Sequence, residues 1–182
     1  MGKVYEEIDS TLAEFLHRQR LFFVATAPLA ATGCINLSPK GFDAFAIIDP
    51  RTVAYLDLTG SGVETVAHLN ENSRIVLMFC AFEGPPKIVR LHGLGEVIEP
   101  GDADFEALRA RFGSFTGVRS IVRVAVTRIA DSCGYGVPLY EYVGDRDQLA
   151  KWAEHKGPDG IREYRAKNNA ESIDGLPGLR SR

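Results

Sequence analysis

The sequence lacks the features that mark membrane, secreted and nucleic-acid-binding proteins. No apolar run reaches the 18 residues that suggest a membrane-spanning helix, so no membrane contact is predicted. The first residues, up to Glu7, are polar and lack the apolar core of a secretory signal. A formal net charge of −3 gives no basic excess, so no nucleic-acid partner is expected.

Cysteine is also scarce. The 182 residues include three cysteines (Cys34, Cys80 and Cys133), which are far apart and form no Cys-x-x-Cys pair. No Cys/His spacing fits a zinc site, so no metal is predicted. An odd number of cysteines without a signal peptide favours a reducing, cytoplasmic setting. No Ser/His/Asp arrangement stands out either, and no catalytic residue is predicted.

Short apolar and alternating runs dominate what is present. Such runs are typical of β-strands, and they follow one another with few helical segments between them. The strands are predicted at 21–27, 34–38, 43–49, 52–58, 74–82, 87–98 and 119–129, and the helices at 5–19, 62–71 and 102–112. Pro39 is expected to end its strand. The order favours a mainly β fold, an antiparallel barrel with helices at its ends and flanks.

The last part of the chain has a different pattern. Residues 131–138 are predicted to form an irregular loop, and 145–156 and 159–167 to form polar helices. The final residues are rich in Asn, Gly and Pro, and are expected to be ordered only if they dock. We therefore predict a barrel domain over 1–144 and a helical extension over 145–182 that packs on the same domain or on a dimer partner.

The most informative stretch joins the strand 52–58 to the helix that follows. It reads Thr59-Gly60-Ser61-Gly62, and Thr65 adds a third hydroxyl. Glycines, hydroxyls and the free N–H groups of a helix N-terminus together make a phosphate cradle. The alternative is an ordinary strand-to-helix turn, with Ser61 as the N-cap and Glu64 as its capping-box partner.

Six segments in fixed order resemble the pyridoxamine 5′-phosphate oxidase-like, FMN-binding split-barrel family. They span 35–41 (Ile-Asn-Leu-Ser-Pro-Lys-Gly), 55–69, 74–86, 88–93, 132–138 and 172–177. The resemblance implies a six-stranded antiparallel split β-barrel that works as a homodimer. It also implies two FMN molecules, each bound in a cleft between the subunits, and oxidoreductase activity on a small-molecule redox substrate.

The resemblance also implies which residues bind the flavin. It assigns Asn36, Leu37, Ser38 and Lys40 to the ring, and Thr59, Ser61 and Thr65 to the phosphate. Lys40 or Arg90 would supply positive charge to a phosphate that carries about −1.5 to −2.

Two departures from the oxidase pattern argue against pyridoxamine 5′-phosphate as the substrate. Where that oxidase has a Ser-Arg-Lys run, this chain reads Ser61-Gly62-Val63-Glu64. The oxidase's C-terminal Arg-x-His element is also absent from this chain. A flavin-binding or stress-related module with little turnover is a second hypothesis. A third keeps the barrel but replaces FMN by the deazaflavin F420 or by haem, with His68 or His92 as a haem ligand.

Overall fold

The computed structural model describes residues 2–180, which fold into one curved antiparallel sheet with helices around it. The strands are β1 (Val4–Tyr5), β2 (Phe22–Thr26), β3 (Asn36–Lys40), β4 (Phe45–Asp49), β5 (Thr52–Leu58), β6 (Arg74–Cys80), β7 (Ile88–Ile98) and β8 (Val118–Ser132). The helices are α1 (Ser10–Arg18), α2 (Glu64–Asn72), α3 (Phe105–Arg109) and α4 (Gln148–Asn168). The predicted mainly β, antiparallel architecture with flanking helices is confirmed.

The sheet is open but strongly curved. Its strands run in the order β3-β2-β6-β7-β8-β5-β4, and β1 pairs with the outer part of β8. Although β3 and β5 lie far apart in this order, the Nζ of Lys40 is 2.8 Å from an Oδ1 of Asp57. The curvature therefore brings one end of the sheet back towards the other. The count of eight strands differs from the expected six, and β1 is a two-residue strand that the pattern does not reveal.

The core lies inside this curve. It is rich in aromatic residues: the ring of Phe22 stacks on Phe79 at 5.2 Å and meets the edge of Tyr55 at 5.7 Å. Helix α1 closes one side with Leu12, Phe15 and Leu16, which recur at helical spacing and are buried. Burial of such side chains, at about 1.5–3 kcal/mol each, holds the helix on the sheet.

Several element boundaries differ from the predictions for clear reasons. Helix α1 starts at Ser10 rather than near residue 5, because Asp9 caps it by accepting the N–H of Leu12 at 2.8 Å. Strand β3 continues through Pro39 to Lys40. Pro39 does not end it because β3 is an edge strand, where a missing N–H leaves no partner unpaired.

The start of α2 also corrects an expectation. The helix begins at Glu64, with Val63 in the N-cap position and no capping bond from a side chain. Ser61 lies outside the helix, and the Oε1 of Glu64 instead accepts the N–H of Ile173 at 3.3 Å. The predicted capping box between Ser61 and Glu64 is therefore wrong, and the loop before α2 is longer than an ordinary capped turn.

The C-terminal segment packs along the barrel. Helix α4 bends at Gly157, whose φ of 65° and following Pro158 separate two helical halves close to the two predicted helices. After α4, Leu179 is buried against Val63 and Val66 of the α2 region. The tail is thus docked on the part of the barrel where the chain enters α2.

Candidate functional site

A cleft of about 260 Å³ opens between the edge strand β3, the end of β5 and the start of α2. Four of the eight predicted site residues line it: Asn36, Ser38, Lys40 and Thr65. The rest of its wall comes from Pro39, Leu58, Gly60, Gly62, Glu64 and Arg119. The fold therefore brings the Asn-Leu-Ser-Pro-Lys element and the turn before α2 to one place, as the sequence predicts.

Strand alternation explains which residues of β3 face the cleft. Successive side chains of a strand point to opposite faces, so Asn36, Ser38 and Lys40 share one face. Leu37 lies on the other face and is 62% exposed. Of the residues predicted from β3, Leu37 is the one that does not line this cleft.

A hydrogen-bonded group of polar side chains ties β3 to α2. The Nδ2 of Asn36 donates to the Oγ1 of Thr65 at 2.9 Å, and the Oγ of Ser38 donates to the Oδ1 of Asn36 at 3.1 Å. Because Thr65 accepts from Asn36, its own hydroxyl proton is left for another acceptor. The group thus presents oriented hydroxyl and amide groups to the cleft.

Asp57 organises the charges at the floor of the cleft. It is completely buried, with Oδ1 2.8 Å from the Nζ of Lys40 and Oδ2 2.7 Å from the Nε of Arg119. Burial alone would raise the pKa of the Asp57 carboxyl, but Arg119 and Lys40 outweigh it and hold that pKa well below its usual range. Asp57 is therefore ionised, and it orients both cations.

The loop before α2 supplies unpaired backbone donors. None of the N–H groups from Gly60 to Val66 has a hydrogen-bond acceptor within residues 2–180. Free N–H groups at the start of a helix favour an anion. Because glycine has no side chain, the backbone of Gly60 and Gly62 itself forms this part of the cleft wall.

Thr59, Ser61 and Arg90 lie elsewhere. The Oγ1 of buried Thr59 donates to the carbonyl of Gly117 at 2.7 Å and accepts from Arg165, so its proton is already used. Ser61 is exposed and does not line the cleft. Arg90, on β7, donates to the Oγ of Ser132 at 3.1 Å.

The pattern-based prediction missed Asp57 and Arg119. One signal was available: a carboxylate in the otherwise apolar run Val-Ala-Tyr-Leu-Asp-Leu is costly to bury unless it is paired. The partner could not be read from the sequence, because Arg119 follows 62 positions later at the start of another strand.

His68 is buried behind the polar group. Its Nδ1 lies 3.0 Å from the Oγ1 of Thr26, while its Nε2 is buried and has no partner in the described part of the chain. Burial lowers the pKa of His68, because the charged imidazolium is poorly solvated there. The other candidate, His92, is half-buried on β7, and burial together with Arg128 and Arg90 lowers its pKa.

We expect His68 to make stability depend on pH near neutrality. The unfolded chain binds a proton as the pH falls through about 6.5, while folded His68 resists it, so the free energy of unfolding should fall. His68→Asn removes this contribution and keeps that of His92. Urea denaturation at pH 5.5 and 7.5 should therefore show a smaller pH effect in the variant, and an equal pH effect in both proteins would contradict the prediction.

The described residues contain neither a cluster of metal ligands nor a membrane-spanning helix. Between residues 2 and 180 no three His, Cys, Asp or Glu side chains come together as metal ligands. None of the helices in this range combines the length and the hydrophobicity of a transmembrane segment.

Comparison with known proteins identifies the family. The family model described as pyridoxamine 5′-phosphate oxidase matches residues 8–133. The chain belongs to the pyridoxamine 5′-phosphate oxidase family. A family protein of Aspergillus flavus, named ustO, is 40% identical over 194 residues, which cover 97% of this chain and 78% of that protein.

Solved structures agree on the fold of this family. A pyridoxamine 5′-phosphate oxidase-like protein of Lactobacillus delbrueckii superposes with a TM-score of 0.54 at 20% identity, over 70% of this chain and 98% of that one. A variant of HupZ from Group A Streptococcus superposes with a TM-score of 0.53 at 24% identity, over 69% of this chain and 99% of that one. The split-barrel fold that the resemblance implied is thereby confirmed.

Proposed function

We propose that this protein binds FMN in the cleft between β3, β5 and α2, and that it works as an FMN-dependent oxidoreductase. The observation that carries the proposal is the donor set of the cleft. The free N–H groups of Gly60, Gly62, Glu64 and Thr65 belong to the wall of the cleft, which also contains the cations of Lys40 and Arg119 and the hydroxyl of Thr65. Charge-assisted and backbone donors of this kind suit the phosphate of a flavin mononucleotide.

The residues of the cleft have distinct tasks in this proposal. The free N–H groups in the wall of the cleft and the hydroxyl of Thr65 bind phosphate oxygens, while Asn36 and Ser38 offer hydrogen bonds to the polar parts of the flavin. Thr59 and Arg165 hold the loop in place through the carbonyl of Gly117. Bound FMN would supply the redox chemistry, and the protein would supply binding and orientation.

We also propose a homodimer formed through the outer face of the sheet. Pro39, Phe23, Met78 and Arg90 are successive cross-strand partners and therefore share one face. Leu37 and Ile35 extend this surface and are exposed in the single chain. A second subunit on this face would cover the apolar residues and bring its Leu37 to the flavin ring and its Arg90 beside the flavin.

The substrate of this reaction is proposed only by class. A small redox-active molecule would enter the cleft between the subunits, and pyridoxamine 5′-phosphate is not favoured because the Arg-x-His element is absent. The division of the chain at residue 144 and the cytoplasmic setting stay predictions.

A spectrum of the purified protein tests the proposal. We expect flavin absorbance bands, release of FMN on denaturation and identification of that FMN by mass. Turnover is tested by steady-state consumption of NAD(P)H with an added acceptor. FMN without turnover would favour the non-enzymatic module, a haem or F420 spectrum would favour the third hypothesis, and a colourless protein that does not bind added FMN at micromolar concentration would contradict the proposal.

A further inference from the structure

Arg119 is a buried cation with donors left over. Arg119 is only 4% exposed. Its Nε donates to Asp57, and its Nη1 donates to the Oδ1 of Asn169 at 3.1 Å and to the carbonyl of Gly60 at 3.4 Å. Its Nη2 has no acceptor within the described residues. Nη2 is not one of the fully enclosed polar atoms that lack a partner; among the described side chains, those are the hydroxyl of Tyr55 and the Nε2 of His68. Since Arg119 lines the cleft and Nη2 is its unpaired nitrogen, the Nη2 donors are the ones left for a ligand there.

The charge balance around Arg119 favours an anion. Lys40, Arg119 and Arg165 come together near one fully buried carboxylate, Asp57. Burial lowers the pKa of Arg165, and the positive charge of Arg119 lowers it further, as expected where cations crowd. Three cations thus share one fully buried carboxylate, while Glu64 lies at the edge of the cleft and Glu99, which also acts on Arg165, pairs with Arg180.

The C-terminal segment fixes the guanidinium. Asn169 is completely buried, and its amide bridges two groups: Oδ1 accepts from Arg119, and Nδ2 donates to the carbonyl of Gly60 at 3.0 Å. Asp57 holds the other side of the guanidinium. Three of the five N–H donors of Arg119 are thus engaged with fixed groups, and the remaining pair is held in one direction.

We propose that Arg119 is the cation that binds the phosphate end of the flavin, and that Asn169 is its positioning residue. The proposal rests on the proposed function. It assigns to Arg119 the positive charge that the oxidase pattern has at the positions of Gly62 and Val63. Lys40 is the weaker candidate because, within the described residues, its ammonium has one hydrogen-bond acceptor, Asp57, and its other contact is the ring of Tyr55. The C-terminal extension is then part of the cofactor site of its own subunit, through Asn169.

The test compares FMN with riboflavin, which lacks the phosphate. Dissociation constants of both are measured by flavin fluorescence for the wild type, Arg119→Lys, Asn169→Ala and the control Arg123→Lys. Arg123 lies on the same strand and pairs with Glu96 and Asp104, away from the cleft. Lysine keeps the charge beside Asp57 but loses the Nη2 donors.

We expect the wild type to prefer FMN. Arg119→Lys should reduce that preference about 10-fold to 100-fold, the range for loss of a hydrogen bond to a charged group, with riboflavin affinity unchanged. Asn169→Ala should reduce the preference less, and Arg123→Lys not at all. Asn169→Ala leaves the Arg119–Asp57 pair in place. If Arg119→Lys does not fold, the FMN preference of Asn169→Ala therefore tests the proposal.

Each other outcome is decisive. Equal wild-type affinity for the two flavins, or a preference that survives in both variants, overturns the role of Arg119 and leaves flavin binding standing. If the wild type binds neither flavin, the proposed function fails, and melting temperatures of the apoprotein with inorganic phosphate, against sodium chloride of equal ionic strength, decide the anion site. Stabilisation by phosphate that Arg119→Lys abolishes supports the site, and stabilisation that is absent or survives in the variant overturns it.

Discussion

Asp57→Asn should lower the free energy of unfolding by about 3–5 kcal/mol, which is the usual loss when one partner of a buried ion pair is removed. The carboxylate is fully buried and neutralises part of the charge of Lys40 and Arg119. With an amide in its place, the buried guanidinium of Arg119 keeps its charge but loses its counter-ion. Urea denaturation at pH 7 measures the loss.

Asp104→Asn is the matched control for this prediction. Asp104 also pairs with an arginine, Arg123, at 2.8 Å, but its side chain is 57% exposed. Exposed pairs contribute at most about 1 kcal/mol, so the control should change stability little. An equal, small loss in both variants would show that the Asp57 cluster does not stabilise the fold.

The same carboxylate gives the prediction a pH dependence. The pKa of Asp57 is depressed in the folded state, so its contribution is complete above the unfolded value of about 3.9 and is lost as the pH falls below it. The wild type should therefore lose stability between about pH 4 and pH 2 more steeply than Asp57→Asn.

The parts of the fold that follow from local pattern could be predicted from the sequence. The seven longer strands and the helices α2 to α4 appear within a few residues of their predicted ranges, and the strands do so because each has an apolar or alternating run of its own. Helix α1 starts later than predicted because Asp9 caps it locally, whereas strand β1 depends on distant contacts. Strand β1 exists only because Val4 and Tyr5 pair with Ala130 and Ile129, more than 120 positions away.

The site divides in the same way. Asn36, Ser38 and Lys40 meet Thr65 in the cleft, and the family motifs anticipate that meeting. Arg119 has no motif of its own, since it begins an ordinary β-strand and gains its place only through the curvature that sets β8 and β5 beside each other.

Glu64 shows why local rules failed at the turn. The Ser61–Glu64 spacing satisfies the capping-box pattern, yet the carboxylate accepts from Ile173, 109 positions later. The docked tail therefore competes with the local cap, and no pattern within the turn carries that information.

Leu179→Ala should destabilise the protein by about 2–5 kcal/mol, the range for a buried Leu truncated to Ala. Leu179 is 1% exposed and forms a small core with Val63 and Val66. Ile173→Ala is the control: Ile173 belongs to the same tail but is 73% exposed, so its truncation should change stability by no more than about 0.5 kcal/mol. Urea denaturation of both variants measures the difference.

The effect of Leu179→Ala should extend to the cleft. The preceding Gly178 accepts from the Nδ2 of Asn70 on α2, and Leu179 donates its N–H to the carbonyl of Asn169 at 3.0 Å. Loosening Leu179 therefore frees the residue that orients Arg119 and exposes the apolar side chains at the start of α2. FMN should bind more weakly to Leu179→Ala than to Ile173→Ala even at temperatures where both are folded. Equal affinity in the two variants would mean that the tail stabilises the barrel without shaping the cleft.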